Sequence, residues 1–311
     1  MATLNQTIRD NSATSNVLTA EQAEFYGKVL LERLIPELPF AKFATKTATI
    51  PKHAGDTISF RRINSLAKVT TPLVEGVTPE GVNLSVAKIS AQVKQYGNYV
   101  VITDMSDKVA LDNLKVEAVE LLGENAGESL EAVTKVEIFG GSTVYRSGGV
   151  ATQLLTATTM TYADILNAVA LLKKAKVKKI NGDYLAFVPI KVSQDIMQLA
   201  EWKAVNTYNH DGQYTGEVGR LMGVRFIEVP EDFITTYAGL GAGAADVYAS
   251  LFIGAGYFGM PDVEGSVKPE IIIKEEGGTS DPLNQRMTVG FKNLFAVKRL
   301  NEACAVRVET L

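Results

Sequence analysis

The chain has 311 residues, 46% of them hydrophobic and 21% charged, with a net charge of −4 and a pI near 5.5. That length predicts one large or two modest domains with a real core, and the acidic balance argues against a surface built mainly for phosphate. No run of eighteen apolar residues occurs, which excludes an ordinary membrane-spanning helix, and the single Cys304 excludes an intrachain disulfide framework and suits a reducing compartment.

The opening MATLNQTIRDNSATSN lacks an apolar centre, predicts no secretory signal, and reads with the next few polar residues as an extended or disordered arm. Thr19 then caps a helix, with Gln22 completing a capping box, and Pro36 stops it. Phe40 and Phe43 begin an irregular stretch that leads to a strand at Thr57–Phe60, where polar and apolar residues alternate. Ala87, Ile89, Ala91 and Val93 repeat that alternation. Tyr99 to Ile102 is a continuous apolar run, which predicts a strand covered on both faces. Between these strands, Thr71-Pro72-Leu73-Val74-Glu75-Gly76-Val77-Thr78-Pro79-Glu80-Gly81 offers little that fills a core.

Fully extended, the residues from Arg62 to Gly76 reach about 50 Å. A two-stranded ribbon of that length is marginal on its own. Its apolar positions, Leu66, Val69, Leu73, Val74, Val82, Leu84 and Val86, need a surface to bury against. A neighbouring subunit is the natural candidate, so the ribbon predicts an assembly protein with these seven residues at its interface.

Asp104 or Ser106 is placed to cap a long helix from about Asp107 to Phe139, with an apolar row at Leu114, Ala118, Leu122, Ala126, Leu130 and Val133. Gly140-Gly141 ends it. Thr161 with Asp164 opens a second helix that carries Ile165, Val169 and Leu172 and ends in Lys173, Lys174, Lys176, Lys178 and Lys179. Those lysines suit phosphate contact, but a solvated helix end matched to the macrodipole is the preferred reading. Asn181-Gly182-Asp183 turns into a strand from Tyr184 to Val188, which Pro189 ends. Ser193 is expected to cap a further helix through about Trp202, and the polar tract Asn206–Gly219 to form a loop. With a strand at Met222–Val229, this alternation predicts a compact α/β domain. Val247–Ile253 reads as a buried strand. Strands at Pro269–Lys274, Met287–Phe295 and Ala303–Val308 are expected to join the sheet begun near residues 57 and 99, with the α/β domain inserted.

Catalytic patterns are absent. His53 and His210 are the only histidines, and no zinc spacing, H-E-x-x-H, G-x-S-x-G or P-loop occurs. Gly239-x-Gly241-x-Gly243 departs from the dinucleotide fingerprint and reads as a loop. Glu231-Asp232 and Glu275-Glu276 lie in turn-like sequence with no defined calcium spacing. Cys304 reads as a buried strand residue. No catalytic residue, cofactor or metal is expected.

Several segments, in this order, resemble the major capsid proteins of tailed bacteriophages with the Hong Kong 97-type fold. They are Gly55-Asp56-Thr57-Ile58-Ser59-Phe60-Arg61-Arg62, Thr71 to Pro79, Gln95-Tyr96-Gly97-Asn98-Tyr99, and Asp281-Pro282-Leu283-Asn284-Gln285-Arg286 followed by Thr288-Val289-Gly290-Phe291-Lys292. The nearest branch is the one typified by the coat protein of coliphage N-four. The resemblance implies an α+β chain with an N-terminal arm (1–24) and the start of a peripheral domain (25–61). It further implies an extended β-hairpin loop (62–98), the peripheral domain with its spine helix (99–149), an axial domain (150–264) and a return to the peripheral domain (265–311).

By the same resemblance the chain is a structural subunit without enzymatic activity. It would assemble in the host cytoplasm, through hexamers and pentamers, into an icosahedral shell around double-stranded DNA, with only weak nonspecific DNA contact and no membrane. A separate scaffolding protein, a portal and decoration proteins are further partners of such subunits. Some relatives crosslink a lysine to an asparagine, but no motif carries that role to Lys68 or Lys88. A shell protein of an encapsulating compartment with the same fold, and an α/β enzyme with a nucleotide site at Gly239–Gly243, remain as alternatives.

Overall fold

The computed structural model describes residues 40–311 apart from 51–54, 65, 73–74, 77, 79–80, 110–112, 150–158, 203–218, 231–235, 238–245, 264–268, 275–280, 282 and 284. The expected arm, the helix from Thr19, both histidines, the two acidic pairs, the glycine-rich 239–243 and nearly all of the tract 206–219 lie outside the described residues.

Strands β1 (Thr45–Ile50), β2 (Thr57–Ile63), β3 (Val86–Gln92) and β4 (Lys94–Thr103) come first, followed by helices α1 (Asp104–Val109) and α2 (Leu114–Phe139). Then come β5 (Val144–Arg146), α3 (Tyr162–Lys174), β6 (Tyr184–Pro189), α4 (Ile190–Gln198), β7 (Arg220–Leu221), β8 (Val224–Val229) and β9 (Thr236–Tyr237). The chain closes with β10 (Val247–Ile253), β11 (Phe258–Val263), β12 (Glu270–Lys274), β13 (Arg286–Phe295), β14 (Lys298–Arg299) and β15 (Ala305–Thr310). These elements fall into two compact units, each assembled from separate stretches of sequence.

One unit contains residues 94–131 and 263–295. Its antiparallel sheet has the order β12-β13-β4, with β13 and β4 paired from Arg286↔Thr103 to Phe295↔Lys94. Alternation along the strands turns Ile102, Ile273, Met287, Val289 and Phe291 to one face, where they pack on Ala118, Val119, Leu122 and Ala126 of α2. The four-residue spacing of the helix row is the reason it lines that core. The helix starts later than its periodicity suggests. Asp104–Val109 is a separate short helix held by an Asp104–Lys108 pair at 2.9 Å, and the Asn113 carbonyl accepts the first bonds of α2, from Val116 and Glu117. Asn is a good N-cap and a poor helix-interior residue, so it starts the longer helix rather than continuing a shared one.

A second expectation is corrected in the same sheet. Of the run Tyr99–Ile102 only Ile102 is buried, while Tyr99 is 66% exposed. Tyr99 and Val101 lie on the face of β4 away from the helix, and no described part of this unit covers them.

The other unit contains residues 40–93, 132–262 and 296–311. Its main sheet has the order β5-β15-β10-β6-β8-β7, with β9 on β10. β6 runs parallel to β8 and β15 parallel to β5; the remaining pairs are antiparallel. Tyr184, Ala186 and Val188 of β6 pack with α3 and α4. Leu185 and Phe187 face the opposite way into a core with Phe40, Ile138, Phe139, Tyr257 and Phe258. Burial on both faces is what the unbroken apolar run of β6 encodes. The capping box at Thr161 and Asp164 forms as expected, and Asp164 also accepts from Ser147 at 2.7 Å.

Three strand and helix assignments change here. The C-terminal strand pairs with β10 in this α/β sheet, not with β4 and β13. Among the described residues β2 pairs only with β3. Ser193 does not cap α4, which starts after Pro189; its hydroxyl donates to Glu228 at 2.5 Å. Cys304 is buried as expected, though in a 3-10 turn just before β15.

Candidate subunit interface

The ribbon begins as a regular ladder. Ile58↔Ala91, Phe60↔Ile89 and Arg62↔Ala87 lie on one face of the β2–β3 pair, with Ser59↔Ser90, Arg61↔Lys88 and Ile63↔Val86 on the other. Asp56 clasps its base. The Asp56 carboxylate accepts from Gln92 at 2.8 Å and from Thr57 at 3.0 Å, and its backbone carbonyl accepts from Val93 at 2.8 Å. The hydrogen bond from Gln92, then that from Thr57, hold the Asp56 carboxyl below the usual carboxylate range. Arg62, one rung from the outer end of the ladder, donates to the Asn301 side chain at 3.0 Å.

Beyond Ile63 and Val86 the ladder stops. Asn64 adds one rung, with its amide donating to the Ser85 carbonyl at 3.0 Å and its side chain to the Ser85 hydroxyl at 3.1 Å. Further out, the described residues form no strand. The predicted interface residues Leu66, Val69, Val82, Leu84 and Val86 are between 53% and 82% exposed; Leu73 and Val74 lie outside the described residues. Five of the seven are thus exposed on the β2–β3 ribbon, and no described residue buries any of them.

Arg61 and Lys88 are a like-charged pair directly across the ladder, which disfavours it by a few tenths of a kcal/mol to about 1 kcal/mol. A second uncovered apolar surface, which sequence reasoning missed, is the outer face of the β12-β13-β4 sheet. A groove of about 350 Å³ there is lined by Tyr96, Gly97, Tyr99, Ile272, Gly290 and Lys292, among others. Gly97 and Gly290 permit this close strand pairing: a Cβ on Gly97 would lie 2.5 Å from the Phe291 carbonyl oxygen. The signal for this face was the apolar run itself, read as covered within the chain.

Chemistry is sparse. Among the described residues no cluster of His, Cys, Asp or Glu is arranged to hold a metal ion, and no helix is long and apolar enough to cross a membrane. One fully buried carboxylate is held by structural cations. Glu309 is fully buried between Arg146 at 2.8 Å and Arg307 at 3.1 Å.

The fold has close counterparts. The capsid of Ralstonia phage GP4 superposes with a TM-score of 0.68 at 14% identity, covering 97% of this chain and 95% of that one. The cyanophage Pam1 capsid gives 0.65 at 17% identity, covering 97% and 96%. The acid-stable capsid of Helicobacter pylori bacteriophage KHP30 gives 0.63 at 11% identity, covering 88% and 91%. No curated protein matches the sequence significantly. The family model described as phage capsid protein matches residues 86–308, well over half of the chain. The chain therefore belongs to the phage capsid protein family, with the Hong Kong 97-type α+β fold, and is a structural major capsid protein of the virion.

Proposed function

We propose that this subunit assembles with copies of itself, through hexamers and pentamers, into an icosahedral shell around double-stranded phage DNA. Assembly takes place in the host cytoplasm and involves separate scaffolding, portal and decoration proteins, on the branch typified by the coliphage N-four coat protein. The domain roles follow the resemblance: arm, extended loop, peripheral and axial domains. The reading assigns no catalytic chemistry to the chain, and a nucleotide is expected to leave its melting temperature unchanged.

One observation carries the interface reading: an apolar row on the ribbon that no described part of the chain covers. Leu66, Val69, Leu73, Val74, Val82, Leu84 and Val86 are its contact residues, set against a neighbouring subunit. Burying a Val or Leu side chain fully stabilises by about 1.5–3 kcal/mol at about 25 cal/mol per Å². A stable contact requires at least about 1,000 Å² in total, so several of these residues must be covered together.

The test is Val69→Asp combined with Leu84→Asp, followed by light scattering and negative-stain microscopy. Both side chains are exposed, so the folded subunit should persist with an unchanged melt while closed shells, tubes and capsomer rings disappear. Assembly at wild-type yield would remove the ribbon from the packed interface.

A further inference from the structure

We propose that the lysine-rich turn after α3, together with Arg220 of the β7–β8 hairpin, is the surface by which this subunit contacts the phosphate backbone of duplex DNA. The proposal rests on the coat reading and adds to it the site of DNA contact. The sequence left these lysines as a helix end matched to the macrodipole. That account covers Lys173 and Lys174 alone, because the helix stops at Lys174 with Ala175 as its C-cap. Lys176, Lys178 and Lys179 lie beyond it, where the dipole of α3 no longer explains them.

The turn is held firmly. Ala175 bonds back to Leu171, Lys176 to Lys173 and Val177 to Leu172, at 2.9–3.1 Å. The Lys178 carbonyl accepts from Ala255, Ile180 and Asp183 exchange both backbone bonds, and Tyr184 donates its hydroxyl to the Val177 carbonyl. Val177 and Ile180 are half-buried anchors, so Lys173, Lys174, Lys176, Lys178 and Lys179 are left on the exposed rim.

The β7–β8 hairpin adds charge to the same rim. Tyr184 pairs with Val224 and donates its backbone N–H to Gly223, which brings the hairpin beside the turn. A Cβ on Gly223 would lie 3.1 Å from Lys179 Nζ. Arg220, whose side chain is 68% exposed, reaches Asp183 at 3.4 Å. Among the described residues that aspartate is the only acid paired with this rim, and none of the five lysines has an ion-pair partner.

Clustered like charges repel, and a chain of net charge −4 has no need of them for solubility. Their concentration on one rim selects a polyanion. The described residues of the rim carry Met222 of the hairpin, 41% exposed and touched by the Tyr162 hydroxyl at 3.1 Å, as a lone apolar side chain beside five lysines and Arg220. A protein partner's interface would want an aromatic or apolar centre, and single-stranded nucleic acid would want stacking platforms. Lysine point charges without base-reading side chains suit sequence-independent contact with a duplex backbone.

The experiment uses the full-length chain and a fluorescent duplex of arbitrary sequence, titrated between about 50 and 200 mM salt, each phosphate contact contributing about 0.9 to the slope of log K against log salt. The variant Lys174→Gln, Lys176→Gln, Lys178→Gln should keep the wild-type denaturation midpoint and lower that slope by about 3. The matching arginine triple should restore it. An unchanged affinity and slope in the glutamine variant overturns the site. So does polyglutamate binding as tightly as DNA and being lost in parallel, which would identify an acidic protein segment instead. Shell formation is scored separately by microscopy. A wild type that binds duplex through these lysines yet never assembles supports this site while counting against the coat reading.

Discussion

The Arg307 guanidinium donates to the Phe139 carbonyl oxygen at 2.5 Å, at the last residue of α2. A helix ends with carbonyls that its own backbone cannot satisfy, and a cation there also meets the negative end of the dipole. Arg307 is itself held in place by fully buried Glu309, which it meets at 3.1 Å, and its guanidinium lies 5.7 Å from the centre of the Tyr237 ring. Glu309 keeps a second partner in Arg146. Arg307→Leu should therefore cost about 2–4 kcal/mol, at or just below the range for breaking a buried pair from one side. Urea unfolding of the unassembled chain measures it, and Arg307→Lys, which keeps the charge but loses the planar fork, should fall between.

Tyr257 caps the same helix end one residue earlier. Its hydroxyl donates to the Ile138 carbonyl, and the ring is buried in the core with Phe40 and Phe258. Burial pushes the phenol well above its ordinary value, so it stays a neutral donor throughout the working pH range. Tyr257→Phe keeps the shape and leaves a buried carbonyl without that donor, which should cost about 1–3 kcal/mol. An unfolding midpoint equal to wild type would mean that another group satisfies Ile138.

Acid should weaken this unit through two glutamates. Burial raises Glu137, but hydrogen bonds from Lys298 and the Arg299 backbone, with the charges of both residues, outweigh it and hold the carboxyl below its ordinary 4.5. Hydrogen bonds from the Ser142 hydroxyl and backbone N–H hold Glu302 below the same value. A depressed folded pKa means that the contribution is complete above about 4.5 and is lost as pH falls through the folded value. Thermal melts should thus fall steadily below about pH 4.5, and Glu137→Gln together with Glu302→Gln should flatten that limb. An acid limb of unchanged steepness in the double variant would assign the loss to other carboxylates.

What the sequence made legible was local. The Thr161–Asp164 capping box, the double-sided apolar run of β6 and the four-residue row of α2 each encode their environment within a few residues, and each formed. Pairing partners were not legible in the same way. β15 is rich in β-branched residues and equally suited to either sheet; its place beside β10 is fixed by Val306 and Val308 meeting the α3 and α4 core, and by Glu309 meeting Arg146. Tyr99 and Val101 read as covered because an apolar run reports burial without saying which chain supplies the cover. The ribbon is the converse case: Leu66, Val69, Val82 and Leu84 are apolar, and no described residue covers them.

That asymmetry gives the sharpest separation of folding from assembly. The ladder of the ribbon closes at Asn64 and Ser85, and the described residues beyond it are exposed and belong to no strand. Replacing residues 65–84 with an Asn-Gly turn, which suits a two-residue hairpin connection, keeps every rung from Thr57↔Gln92 to Ile63↔Val86. It also shortens a loop, and closure entropy changes only by about 1–2 kcal/mol for such a change in length. The truncated subunit should therefore unfold at a midpoint equal to or slightly above that of the full chain, and should stay dispersed under conditions where the full chain forms shells. If truncation instead collapses the unfolding midpoint, the apolar row is packed on its own subunit and the interface must be sought on the outer face of the β12-β13-β4 sheet. If truncated chains still form shells, the same face becomes the leading contact while the subunit fold stands unchanged.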